Sequence, residues 1–207
     1  MEMLLELFHR VYDVKGIIQW GGLFMICAIV FAETGLMIGF FLPGDSLLVT
    51  AGVFAAAGLL DLAALLGLVS LCAVVGDQLG YYIGQRTGPA LFKREDSLLF
   101  KRSHVLKAQA FYEKYGAKTI VIARFVPVVR TFAPVVAGVG KMEYRRFVTY
   151  NLAGGVLWVF SMVLTGYLLG NAVPDIDKHI HFVIGGVIFL SILPAIIEVL
   201  RNRRREA

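Results

Sequence analysis

Apolar residues run through this chain in long blocks, at about 17–60, 62–84, 117–140 and 147–170, with a shorter one at 182–200. Within each block they are continuous rather than spaced every three or four residues. That is the pattern of helices surrounded by lipid, not of one helix face laid on a soluble core. Phe147–Gly170 carries no charge and is long enough to cross a hydrocarbon layer of about 30 Å. The expected fold is an all-α polytopic membrane protein, one membrane domain over residues 1–207.

Charge at the block ends sets the orientation. Residues 86–118 hold eight basic side chains (Arg86, Lys93, Arg94, Lys101, Arg102, Lys107, Lys114, Lys118), and the last block ends in Arg201, Arg203, Arg204 and Arg205. The 171–181 loop offers only Lys178, beside Asp175 and Asp177. The positive-inside rule therefore puts 86–118 and the C-terminus in the cytoplasm and 171–181 outside. Residues 117–140 are then flanked on both sides by cytoplasmic basic residues, Lys114 and Lys118 before, Lys141, Arg145 and Arg146 after. A segment that enters and leaves on one side must turn within the membrane, which is tolerated where protein or a watery cavity covers its backbone. Pro127 and Pro134 supply the expected breaks.

The 17–60 block is about 66 Å long as a single helix, twice the required span. Pro43-Gly44, inside "ETGLMIGFFLPGD", is the predicted breaker. One crossing followed by a hairpin entering from outside fits, as do two plain crossings with an external N-terminus. A weak echo favours the hairpin: "FLPGDSLLVTAG" (41–52) resembles "FVPVVRTFAPVVAG" (125–138), with Asp45 standing roughly where Arg130 does. Two opposed re-entrant hairpins form the arrangement of inverted-repeat transporters. Residues 104–116 read as a short amphipathic surface helix, with Phe111, Tyr112 and Tyr115 toward lipid.

The apolar blocks contain Glu33, Asp45, Asp77, Arg124 and Arg130. Each costs about 2.5–3.5 kcal/mol at mid-bilayer, so four or five together cost on the order of 10–17 kcal/mol unpaired. A fold stable by about 5–15 kcal/mol cannot leave them so. Pairing Glu33 and Asp45 with Arg124 and Arg130 gives a neutral cluster. As pure structure this is a poor device, because apolar packing stabilises better than buried ion pairs. As a site it has a clear guest. Guanidinium forks suit phosphate or carboxylate, helix ends at Pro127 and Pro134 add backbone donors, and displaced carboxylates take up protons. Arg124 and Arg130 are the candidate anion ligands, Glu33 and Asp45 their charge partners and proton carriers, and Asp77 a further candidate.

"GDQLGYYIGQRTG" (76–88) spaces Gly76, Gly80, Gly84 and Gly88 by four, a stripe that lets helices approach, with Tyr81 and Tyr82 where interfacial aromatics belong. Cys27 and Cys72 sit in apolar runs and read as packing residues. "DIDKHIH" (175–181) reads as an external loop capping the next helix rather than a metal tract.

Composition narrows the classes left. The chain is 58% hydrophobic and 17% charged, against about a quarter charged in soluble domains. Its net charge of +5 lies beside membrane segments and so speaks for orientation and anionic headgroups rather than for nucleic acid. Met1–Lys15 lacks a signal-peptide pattern, so no cleavage is expected. No intramembrane His stands near a Ser or Asp, and no metal or other cofactor is expected, so the parts for nucleophilic or metal catalysis are missing and the expectation is a non-enzyme.

These motifs together resemble the DedA membrane proteins, also called the SNARE-associated or VTT-domain family. The likeness rests on Glu33, Pro43-Gly44-Asp45, "GDQLGYYIGQRTG", "YGAKTIVIARFVPVVRTFAPVVAG" and "MEYRRFVTYNLAGGVLW", covering about residues 30–160. A C-terminal helical hairpin and basic tail (161–207) follow. Gln85 departs from the family, in which the residue after Gly84 is often basic. The resemblance implies two opposed re-entrant hairpins, Glu33, Asp45, Arg124 and Arg130 as the essential charges, and a proton-coupled flippase returning undecaprenyl phosphate across a bacterial inner membrane. Proton-coupled transport of a small solute or cation, or general phospholipid scrambling, are the alternatives. Partners are then membrane lipids, the lipid phosphate and protons; a homo-oligomer is compatible with the chain.

Overall fold

In the computed structural model, residues 14–36, 44–91 and 116–172 are described. Among them the chain is all helical: α1 (Val14–Gly35), α2 (Gly44–Ala56), α3 (Leu62–Leu91), α4 (Thr119–Ala123), α5 (Pro127–Val139) and α6 (Tyr144–Ala172). The 104–115 stretch of the expected amphipathic helix, the 175–181 loop, the C-terminal block with its basic tail, and Pro43 lie outside the described residues.

Among the described residues two helices are long and apolar enough to cross a membrane, over Leu62–Thr87 and Tyr144–Ala172. The kink at Gly22 leaves α1 a shorter apolar helix over Gly21–Gly35. α2 and α5, at 13 residues each, reach only about 20 Å. The 117–140 block is broken as expected at Pro127. Val126 is extended (φ −114°, ψ 106°), as a residue before proline prefers, and Pro127 opens α5, where its missing N–H costs nothing. Pro134 does not break the chain. It lies inside α5, which continues through it. It forfeits one helical hydrogen bond, and its buried ring packs close to Gly80 of α3, so tertiary contact holds the turn that the sequence alone would open. The 17–60 block is likewise divided, into α1 and α2, with a second interruption at Gly22 of α1 (φ 51°, ψ −144°).

The chain forms two compact units. One comprises Met1–Ile26, Pro43–Leu66 and Ser161–Ala207, the other Cys27–Leu42 and Gly67–Phe160. In the first, α2 lies against the C-terminal part of α6. A β-carbon on Gly52 would collide with the Val163 carbonyl, and one on Gly166 with the Val49 carbonyl. After α2 the chain turns through Gly58 (φ 74°), with Gly58 N donating to Ala55 O (3.1 Å) and Leu59 N to Phe54 O (2.9 Å), a Schellman cap. Asp61 then caps α3, accepting from Ala64 N at 2.6 Å.

In the second unit α5 lies equally close on α3, Gly84 against the Val135 carbonyl and Gly138 against the Tyr81 carbonyl. The glycine stripe thus does bring helices together. Tyr81 is not the interfacial aromatic expected. It is buried, stacks on Phe147 (ring centroids 4.4 Å apart), and donates its hydroxyl to Met142 O at 2.6 Å, clasping the α5–α6 turn. Tyr82 does face outward, under the Arg86 guanidinium at 5.1 Å. Cys27 and Cys72 are free, half-buried thiols in contact with one another.

Candidate functional site

Four buried charges lie together in the second unit. α1 brings Glu33, α3 brings Asp77, and the interrupted segment brings Arg124 at the end of α4 and Arg130 in the opening turns of α5. Arg130 Nη2 donates to Glu33 Oε1, and Arg124 Nη2 donates to Asp77 Oδ2. All four residues are at most 7% exposed, so these are ion pairs removed from solvent, where losing one partner strands a charge.

Asp77, the further candidate, meets Arg124, because α4 ends beside the Ala73–Asp77 turn of α3, from which the Ala73 carbonyl also lies 3.4 Å from Nη2. Asp45 belongs to the other unit, half-buried in the first turn of α2. Only Pro127 creates a helix start with spare backbone donors, since α5 runs on through Pro134.

Two residues of α6 complete the site and were not anticipated. Asn151 Oδ1 accepts from Arg124 Nη2 at 2.6 Å, while its Nδ2 donates to Val74 O at 3.0 Å, which fixes the amide's orientation. Trp158, fully buried, has its ring centroid 4.7 Å from the Arg130 guanidinium carbon and 5.9 Å from that of Arg124, both within cation–π range. Between them, Gly154 and Gly155 let α4 and α3 come close: a β-carbon on Gly154 would meet Val121 Cα at 3.1 Å, and one on Gly155 would meet Val74 Cγ2 at 2.9 Å. Asn151, Gly154, Gly155 and Trp158 stand at i, i+3, i+4 and i+7, so one face of α6 lies along Arg124. That spacing within a charge-free span was the available signal.

The arrangement holds two fixed cations against two acids and an aromatic wall. Arg124 Nε is a further buried donor that meets no acceptor among the described residues. Buried donors are rarely left so in a finished structure, and this one is suited to an incoming oxygen.

An apolar fold with two spanning helices, short broken helices and a buried acid–arginine cluster defines a class of polytopic membrane protein. The VTT domain model matches residues 42–168, so the chain belongs to the VTT-domain, or DedA, family of membrane proteins. It is 46% identical to Protein DedA of Escherichia coli K12 over 181 residues, which is 86% of this chain and 82% of that protein. It is 47% identical to the uncharacterized membrane protein Rv0364 of Mycobacterium tuberculosis H37Rv, over 86% of this chain and 79% of that one. The inner membrane protein YghB of E. coli K12 is 32% identical over 83% and 76%. No solved structure matches.

Proposed function

We propose that the protein is a proton-coupled translocase for a polyprenyl phosphate such as undecaprenyl phosphate, working in a bacterial inner membrane with its C-terminus cytoplasmic. The observation that carries this reading is the pair of buried arginines, each held by an acid and both within reach of one indole. An intramembrane guest that matches two guanidiniums is an anion, and a lipid phosphate is an anion with a reason to be at that depth. Relatives named as membrane and inner membrane proteins agree with the location.

The charges suggest the coupling. Glu33 and Asp77 cancel Arg130 and Arg124, so these four charges sum to zero in the empty site. A phosphomonoester carries about −1.5 to −2 near neutral pH. Its oxygens take guanidinium N–H groups from the carboxylates, and the acids left behind take up protons because an unpaired, desolvated carboxylate favours its neutral form. Proton uptake thus accompanies anion entry, and proton loss restores the ion pairs and releases the lipid. Asp45, which opens α2 in the other unit, serves the same proton traffic in this scheme. Binding and proton exchange need no bond cleavage, and we read the protein as a carrier rather than an enzyme.

In this reading 117–140 and the α2 region are re-entrant hairpins of an inverted repeat. Cysteines placed at Lys118 and Lys141 should then both be labelled from the cytoplasmic side alone; labelling of either from outside makes the segment an ordinary span. The direct test is movement of labelled undecaprenyl phosphate by purified protein in liposomes, with and without a pH gradient. Transport that depends on the gradient and is lost in Glu33→Gln supports the proposal. Equal scrambling of phosphatidylcholine, or no movement, overturns it.

A further inference from the structure

Arg124 and Arg130 are like charges, buried and near each other, each within about 6 Å of the Trp158 ring centroid. Something must offset their repulsion without quenching them. The acids do this in the empty state, but a carboxylate competes with the guest for the same N–H groups. An indole does not. Its π face is electron-rich and attracts a cation, while its only polar hydrogen is a donor, so it cannot take a guanidinium N–H. A guanidinium bound through its face keeps its in-plane fork for oxygen acceptors, whether from carboxylate or phosphate.

Resting on the anion-site reading above, we propose that Trp158 is a positioning residue: its indole holds both guanidiniums in place while their edges exchange Glu33 and Asp77 for the oxygens of a lipid phosphate. The rest of the α6 face serves the same end. Asn151, tied to the Val74 carbonyl, fixes Arg124 Nη2. Tryptophan, which has the strongest π-face attraction for cations among the aromatic residues, stands where the two arginine side chains meet. A leucine of similar reach would fill the volume but not hold the cations.

The chain's two tryptophans are Trp20 and Trp158, so Trp20→Phe leaves a single indole at the site. Purified in detergent, this variant is titrated with farnesyl phosphate, a short soluble polyprenyl phosphate, and with farnesol as the uncharged control. Trp158 emission should change saturably with the phosphate and not with farnesol. Mono-, di- and trifluorotryptophan then replace Trp158, withdrawing π-electron density stepwise at nearly constant size. Affinity should fall stepwise, by roughly 2- to 30-fold across the series, with the unfolding temperature unchanged. Trp158→Leu should lose binding more completely, and the fluorinated series reads out the role even where that variant does not fold. Affinity that is flat across the series, with farnesyl phosphate still bound, overturns the role of Trp158 and leaves the anion site standing. Absence of farnesyl phosphate binding to the parent protein removes both.

Discussion

The two units solve one packing problem alike and then diverge in chemistry. In each, a 13-residue helix lies so close on a long one that two glycines face each other's backbone. Gly138 faces Tyr81, and Val135, three residues earlier, faces Gly84; Gly52 faces Val163, and Val49, three residues earlier, faces Gly166. On the long helices the second glycine follows its partner by three residues in both cases. Chain order is reversed: α3 precedes α5, whereas α2 precedes α6. Each short helix ends in a Schellman cap, at Gly58 in one unit and at Lys141 in the other. The second unit alone, among the described residues, adds the two acid–arginine pairs. A shared glycine scaffold, with the two acid–arginine pairs set on the second, lets the glycine contacts be tested apart from those pairs. It also supports the proposed repeat.

The sharpest way to separate the two roles is to remove one acid. Asp77→Ala strands Arg124 in the interior and should destabilise the second unit by about 3–5 kcal/mol, read as a lowered unfolding temperature of the purified protein. Adding Arg124→Leu should recover most of that stability without recovering lipid-phosphate transport. Recovery of transport would mean that the pair is only structural. Arg130→Lys keeps the charge and loses the planar fork. With a charge-assisted hydrogen bond at about 1.5–3 kcal/mol, transport should drop roughly tenfold to a hundredfold while stability holds. Full activity with lysine would reduce the site to a simple positive potential.

The scaffold half of the comparison is tested by Gly84→Ala and Gly52→Ala. Each pushes a methyl group into a backbone carbonyl and should cost about 1–3 kcal/mol, by similar amounts in the two units. A large loss in one unit with none in the other would break the likeness. Smallest in effect is Lys141→Gly, which gives the second unit the cap residue of the first. Lys141 sits at φ 53°, a left-handed conformation that penalises a side chain, so glycine should raise stability by about 0.5–1 kcal/mol.

Much of this architecture is legible in the residues. Length and apolarity mark the spans, Pro127 marks the break, and the intramembrane charges mark the cluster. The "FLPGDSLLVTAG" and "FVPVVRTFAPVVAG" echo marks the two short helices, its final glycines being Gly52 and Gly138. What could not be read was which groups meet. Asp77 and Asp45 are both acids in apolar runs, and only the placement of α4 beside α3 shows that Asp77 meets Arg124. Pro134 misleads because local propensity yields to packing. Asn151 and Trp158 look like ordinary residues of a spanning helix, for which tryptophan and asparagine have many uses. Their role appears only when one face of α6 is seen against Arg124. Tyr81 misleads for a similar reason, since an aromatic near a predicted interface is not thereby at the surface.

The interruption at Val126 has a further, purely geometric consequence. In an unbroken α-helix, residues six apart are rotated by about 240° and separated by about 9 Å along the axis. Arg124 and Arg130 would then leave the helix about 120° apart, on different sides. Extended backbone at Val126 resets that angle, so two side chains from successive short helices are carried round to the same indole. Pro127 and the two arginines of this segment are thus parts of one construction, in which the break sets the angle between the two cations.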